Sequence, residues 1–127
     1  MNKYIIPGQP IPLARPRFNG KVVFDSQKAV KKSVSDYLRL TVKEKPLTGP
    51  VHITLRFYMR RPKGKKIQAL FPGLEWHSKR PDLDNLTKFI LDVANGILYA
   101  DDSQVVFITS AKVYSDEPRT EIEIKEL

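Results

Sequence analysis

The chain contains no cysteine, and this absence removes several classes of chemistry. Disulfides, thiolate metal sites and a cysteine nucleophile are all excluded. A protein without cysteine fits a reducing compartment, so we expect a cytoplasmic location. The sequence also lacks any apolar run near the ~20 residues that span a bilayer. Its first residues carry too short an apolar stretch for a signal peptide, so we expect no membrane partner.

Acidic residues are in the minority, and the excess of positive charge is clustered. The 127 residues include 22 Lys and Arg against 14 Asp and Glu, which gives a net charge of +8. A chain of this length predicts a single domain over residues 1–127. Clustered cations predict contacts with a phosphate backbone, although a solvated surface is the alternative for any one run. The candidate contacts are Arg15, Arg17, Arg60, Arg61, Lys63, Lys65, Lys66, Lys79 and Arg80.

Hydrophobic periodicity predicts an α+β fold. Apolar residues at helical spacing predict a helix over residues 26–43, capped by Ser26, and a second helix over residues 82–98. Alternation predicts strands, the last two as a hairpin and the fourth covered on both faces. These strands cover residues 3–6, 21–24, 51–59, 104–114 and 120–125. We therefore expect a small mixed β-sheet with two main helices packed on one face.

Two aspartates stand at the point where a loop enters the second predicted helix. Asp82 and Asp84 are two residues apart, and Pro81 sets the approach of the chain to the helix. At a helix entrance both carboxylates can turn toward one point, and Mg²⁺ prefers such oxygen ligands. The alternative is that an aspartate at this position only caps the helix.

A second acidic segment and a lysine favour the metal-site interpretation. Asp101 and Asp102 follow the same helix and lead into a strand, so we expect a third carboxylate to come back over the first pair. Lys88 lies one turn beyond Asp84. It is either half of a helical ion pair or a fixed cation that binds a phosphate.

These segments resemble the RusA family of Holliday junction resolvases. The similarity is specific in the PDLDNL motif at 81–86, in Lys88 and in the DDSQV motif at 101–105, and looser in the PGQP and RPR motifs near the N-terminus. It implies a RusA-like fold and a homodimeric, Mg²⁺-dependent DNA endonuclease of bacteria, phages or prophages. Such enzymes cut the paired strands of a four-way junction symmetrically, in recombination and repair.

The resemblance also assigns roles to individual residues. It implies that Asp82, Asp84 and Asp102 bind the metal, with Mn²⁺ as a substitute for Mg²⁺, and that these acids and Lys88 are catalytic. We expect Asp101 to act mainly as a charge beside the site.

Residues 61–78 are too long for an ordinary connection, which is typical of a functional segment. Phe71 and Trp76 within it are candidates for stacking on unpaired bases at a branch point, and packing inside the loop is their alternative. Other functions stay open at this point. They are a non-catalytic nucleic-acid-binding module, a metal-dependent nuclease for another branched DNA or structured RNA, and a pure interaction protein.

Overall fold

The computed structural model describes residues 2–15, 17–62 and 75–127. It contains a four-stranded sheet in the order β1 (Asn2–Pro7), β6 (Arg119–Glu126), β4 (Val51–Arg60) and β5 (Val105–Ser115). β5 runs parallel to β4, and the other neighbouring strands are antiparallel. The sheet is mixed, as the sequence predicts, and β5 forms one of its edges.

Two helices pack against one face of the sheet, which confirms the predicted α+β fold. They are α1 (Lys28–Thr41) and α2 (Leu83–Val93), and both contribute to the same hydrophobic core as β4 and β6. The residues of β4 alternate between buried and half-buried, so only one face of that strand lies in the core. In the described residues, no helix is both long enough and apolar enough to cross a bilayer.

A short hairpin precedes α1, as the Asn19-Gly20 turn signal predicts. Its strands are β2 (Arg17–Phe18) and β3 (Val23–Phe24), paired antiparallel. The Asn19 side-chain oxygen accepts hydrogen bonds from the amides of Lys21 (3.0 Å) and Val22 (2.9 Å). Gly20 adopts a φ of 92°, which a residue with a side chain rarely reaches.

The predicted helix boundaries are wrong at two places. Ser26 does not cap α1, because it lies in the turn before the helix and Gln27 takes the N-cap position. α2 ends at Val93, well before residue 98, because Gly96 adopts a φ of 77° and its amide donates to the Tyr99 carbonyl at 2.8 Å. Ile97 stays buried beyond the helix end, so the apolar pattern reported burial rather than helicity.

The predicted hairpin of the last two strands is also wrong. β6 inserts between β1 and β4, so both of its edges are occupied and β5 lies on the far side of β4. The backbone ladders to β1 and β4 hold β6 in this position, and ion pairs of Glu121 with Lys3 (3.2 Å) and of Glu123 with Arg56 (2.8 Å) accompany them.

β5 is not covered on both faces, contrary to expectation. Val106, Phe107 and Ile108 are 62%, 55% and 43% exposed. The half of β5 that contacts α2 begins later, where the Ser110 hydroxyl lies 3.0 Å from that of Thr87. The first half of this edge strand is therefore apolar and open to solvent.

Candidate active site

Asp82 occupies the N-cap position of α2, yet its carboxylate makes no capping hydrogen bond. Its backbone is extended, with φ −69° and ψ 142°, and its side chain is exposed. An aspartate that served only as a cap would accept a hydrogen bond from a first-turn amide. Capping therefore does not account for this residue.

Asp84 and Lys88 lie on the first two turns of α2. One oxygen of Asp84 accepts from the Asn85 amide at 2.9 Å, and the other lies 3.8 Å from the Lys88 ammonium. The two side chains are 66% and 60% exposed, and an exposed pair of this kind contributes little to stability. Both groups remain accessible to a ligand at the start of the helix.

Lys112, which the sequence patterns did not single out, holds the loop in front of Asp82. The Lys112 ammonium donates hydrogen bonds to the backbone carbonyls of Pro81, at 2.6 Å, and of Lys79. Lys112 pairs in register with Phe57, whose side chain is buried in the core. A lysine on the core-facing side of a strand needs acceptors, but the pairing that puts Lys112 on that side is evident only in the fold.

The second acidic segment forms a 3₁₀ turn, Asp102–Gln104, directly before β5. Asp101 caps this turn by accepting from the amide (3.1 Å) and the hydroxyl of Ser103, and these bonds lower the pKa of Asp101. The Gln104 side chain accepts from the Asp101 amide at 2.7 Å and donates to two carbonyls of the loop before β4, at 2.8 and 2.9 Å. Asp101 is thus structural, while the Asp102 side chain is exposed.

The structure places the two acidic segments at opposite ends of β5. Asp102 opens the 3₁₀ turn that directly precedes the strand, whereas Asp82 lies at the other end, beside Lys112. The segment from Val105 to Lys112 is about 23 Å long at the rise of an extended strand. Within the described residues, no three His, Cys, Asp or Glu side chains are grouped so that they could hold a metal ion. The expectation that Asp102 comes back over Asp82 and Asp84 is therefore not met inside one chain.

Several predicted DNA contacts gather at the same end of the sheet as Asp82. Arg60 is the exposed last residue of β4, level with the end of β5. Lys79 and Arg80 are exposed in the loop before α2. In contrast, Arg61 forms ion pairs with Glu75 and, at 2.9 Å, with Asp116.

The N-terminal loop brings a further cation to this end. The Leu13 amide donates to the Asn85 carbonyl at 2.9 Å, and the Gln27 side chain binds the backbone of Pro12 and Ala14, both at 2.8 Å. These bonds hold the segment that leads to the exposed Arg15 against the start of α2. An open groove separates the loop from the helix, and it is lined by Pro12, Leu13, Arg80, Pro81, Asp82 and Asn85.

Five residues predicted to contact DNA have side chains outside the described part of the chain. Lys63, Lys65 and Lys66 lie outside the described residues, as does Phe71, and only the backbone of Arg17 is described.

Comparison with known proteins agrees with the motifs at this site. The chain matches the RusA endodeoxyribonuclease family over residues 7–125. It is 36% identical to the uncharacterized protein YqaN of Bacillus subtilis (strain 168) over 98% of this chain and 96% of that protein. It is also 44% identical to the crossover junction endodeoxyribonuclease rusA of Lactococcus phage r1t, over 42% of this chain and 41% of the phage protein. The chain therefore belongs to the RusA family of endodeoxyribonucleases.

Proposed function

We propose that this chain is a Mg²⁺-dependent endonuclease that resolves four-way DNA junctions by cutting two strands symmetrically. The observation that carries the proposal is the group of accessible charges at the start of α2, where Asp82 makes no cap and Asp84 lies 3.8 Å from Lys88. Family membership supports a nuclease. The relative from Lactococcus phage r1t supports a junction as substrate and a phage or prophage origin.

The donor chemistry at this position fits a hard divalent cation. Mg²⁺ is usually bound through one or two carboxylates, with water and substrate phosphate completing the shell, and Mn²⁺ accepts similar oxygen ligands. Asp82 and Asp84 would supply the carboxylates. When bound, the ion would polarise the phosphodiester and lower the pKa of an attacking water.

The surrounding cations would handle the negative charge of DNA. Lys88 would lie against the oxygens of the scissile phosphate and stabilise charge that develops on them. The exposed Arg15, Lys79 and Arg80 would bind neighbouring phosphates and so fix the DNA strand in the groove beside Asp82.

The active form in this proposal is a homodimer in which the two β5 edges pair with each other. The first half of β5 is an exposed apolar edge, and proteins normally cover or blunt such edges. The second half is already occupied, because Trp76 forms an antiparallel bridge to Val113. A second copy of the chain fits the open half, and a two-fold axis matches the symmetry of the junction.

This pairing would also bring the separated acids together. In an antiparallel pair centred on Phe107, the partner's 3₁₀ turn with Asp102 would approach the end of β5 that carries Lys112, whose ammonium binds the carbonyl next to Asp82. Each active site would then combine Asp82, Asp84 and Lys88 of one protomer with the partner's Asp102. In this arrangement, the two acidic segments of one chain lie far apart because they belong to two different active sites.

A cleavage assay on a synthetic four-way junction tests the proposal. We expect paired cuts in two opposing strands with Mg²⁺ or Mn²⁺, and no cuts in EDTA. Asp84→Asn should abolish cleavage, because it removes the negative charge of a metal-binding carboxylate. It should leave junction binding intact, because Asp84 makes no contact with the DNA phosphates in this proposal. Asp36→Asn, an exposed aspartate on α1, is the matched control and should cut normally.

Three results would contradict the proposal. Full cleavage by Asp84→Asn would show that Asp84 is not part of the active site. Binding of the junction without any metal-dependent cutting would favour a non-catalytic binding module. Preferential cutting of flaps, forks or structured RNA in the same panel would assign a different substrate.

A further inference from the structure

One exposed aromatic residue near the candidate site is presented in an unusual way. Trp76 is 62% exposed, whereas its neighbours Glu75 and His77 are only 8% and 9% exposed. In an extended segment, alternate side chains point to opposite sides, so both neighbours face the protein and the indole faces out. The loop-packing alternative therefore does not hold for Trp76.

The segment that carries the indole is fixed to β5. The Tyr114 amide donates to the Glu75 carbonyl at 2.9 Å, and the His77 amide donates to the Lys112 carbonyl at 3.2 Å. The His77 ring packs on that of Tyr114, with centroids 4.7 Å apart.

An ion pair anchors the same segment from its other side. The Arg61 guanidinium binds both Glu75 and Asp116. The indole is thus a pre-organised platform rather than a side chain on a free loop, and an ordered platform binds with a smaller loss of conformational entropy.

The charge beside this platform indicates the kind of partner. Lys79 and Arg80 follow three and four residues later in the same loop, and both are exposed. A planar apolar surface next to cations suits a nucleotide, whose base stacks while its phosphate is neutralised. The bases of an intact duplex are already stacked on one another, so the matching ligand is an unpaired base.

We propose that Trp76 is the residue that stacks on an unpaired base at the branch point of the DNA and thereby distinguishes branched from linear substrate. This inference rests on the proposed function and deepens it. It assigns structure selectivity to the Trp76 platform and leaves the chemistry with the residues at the start of α2.

The chain contains a single tryptophan, so its fluorescence reports on Trp76 alone. The protein is titrated, without divalent metal, with a four-way junction and with a linear duplex built from the same arm sequences. We expect the junction to quench the indole emission and the duplex to leave it nearly unchanged at equal bound fraction. Equal quenching by both, or none by a bound junction, would overturn the inference. If the emission of Trp76 changed with protein concentration in the absence of DNA, Trp76 would lie in a protein interface, and the inference would also be overturned.

Variants separate stacking from phosphate contact. Trp76→Ala should weaken junction binding by about five- to 150-fold, the range for loss of one stacked base, and Trp76→Phe should recover most of it. The slope of log K against log salt should be unchanged in Trp76→Ala, because no phosphate contact is lost, whereas Arg80→Ala should flatten it by about one. Leu40→Ala, which removes an exposed apolar side chain from α1, is the control.

The outcomes distinguish this inference from the proposed function. A wild-type protein that neither binds nor cuts junctions defeats the proposed function and, with it, the stacking role. A wild-type protein that binds and cuts junctions, with Trp76→Ala behaving like Leu40→Ala, defeats the stacking role alone.

Discussion

The Lys112 ammonium donates a hydrogen bond of 2.6 Å to the backbone carbonyl of Pro81, the residue directly before Asp82. This bond crosses from β5 to the loop that leads into α2, and a second one from the same ammonium reaches the Lys79 carbonyl. The loop that presents Asp82 is therefore held in place by hydrogen bonds from β5. Lys112 is a positioning residue for Asp82.

Replacing Lys112 with Met should loosen this loop while keeping most of the apolar stem. We expect the half-saturating Mg²⁺ concentration for cleavage to rise about 10- to 100-fold, as for other groups that orient a metal ligand. Hydrogen exchange without metal should show faster exchange of the amides in residues 79–85. Lys45→Met, at an exposed lysine after α1, is the control. Unchanged exchange and metal dependence in Lys112→Met would contradict the positioning role.

Gln104→Ala should destabilise the turn that carries Asp102. The side chain of Gln104 makes three hydrogen bonds, one to the Asp101 amide and two to carbonyls of the loop before β4. Loss of these partners should lower the free energy of unfolding by about 1–3 kcal/mol. Urea denaturation measures this change, and an unaltered midpoint would show that the turn does not depend on Gln104.

The stability of the protein should fall in mildly acidic solution because of His77. Burial lowers the pKa of His77, and the nearby Lys112 charge lowers it further. The unfolded chain binds a proton at this histidine near pH 6.5, while the folded chain resists protonation until a lower pH. The stabilising contribution of neutral His77 is therefore complete above pH ~6.5 and is lost as the pH falls below that value.

Urea denaturation at about pH 7.5 and pH 5.5 checks this expectation. The free energy of unfolding should decrease more in the wild type than in His77→Leu, which has no group to protonate at this position. A decrease of equal size in both proteins would assign the acid sensitivity to other groups.

The sequence predicted the secondary structure well where one physical signal dominated. The alternation in β4 matched its burial, and the apolar stripe of α2 matched the core. The order of strands in the sheet could not be read from these patterns. The place of β6 depends on backbone pairing with β1 and with β4, which joins residues far apart in sequence.

At the candidate site, the motifs identified the residues but not their arrangement. The local spacing placed Asp84 and Lys88 correctly on one helix. It could not show that Asp102 lies at the other end of β5, because that separation is a property of the sheet. Lys112 was missed because a single lysine in a strand resembles many solvated lysines until its backbone acceptors are known.

A mixing experiment with two inactive variants tests the shared active site most directly. Asp84→Asn and Asp102→Asn are each expected to be inactive as homodimers. If each site combines Asp84 of one protomer with the partner's Asp102, a mixed dimer keeps one intact site and should nick the junction in a single strand. If all ligands come from one chain, every site in the mixed dimer carries a substitution. Restored nicking after co-expression is the result we predict, and continued inactivity of mixed dimers that bind the junction would contradict it.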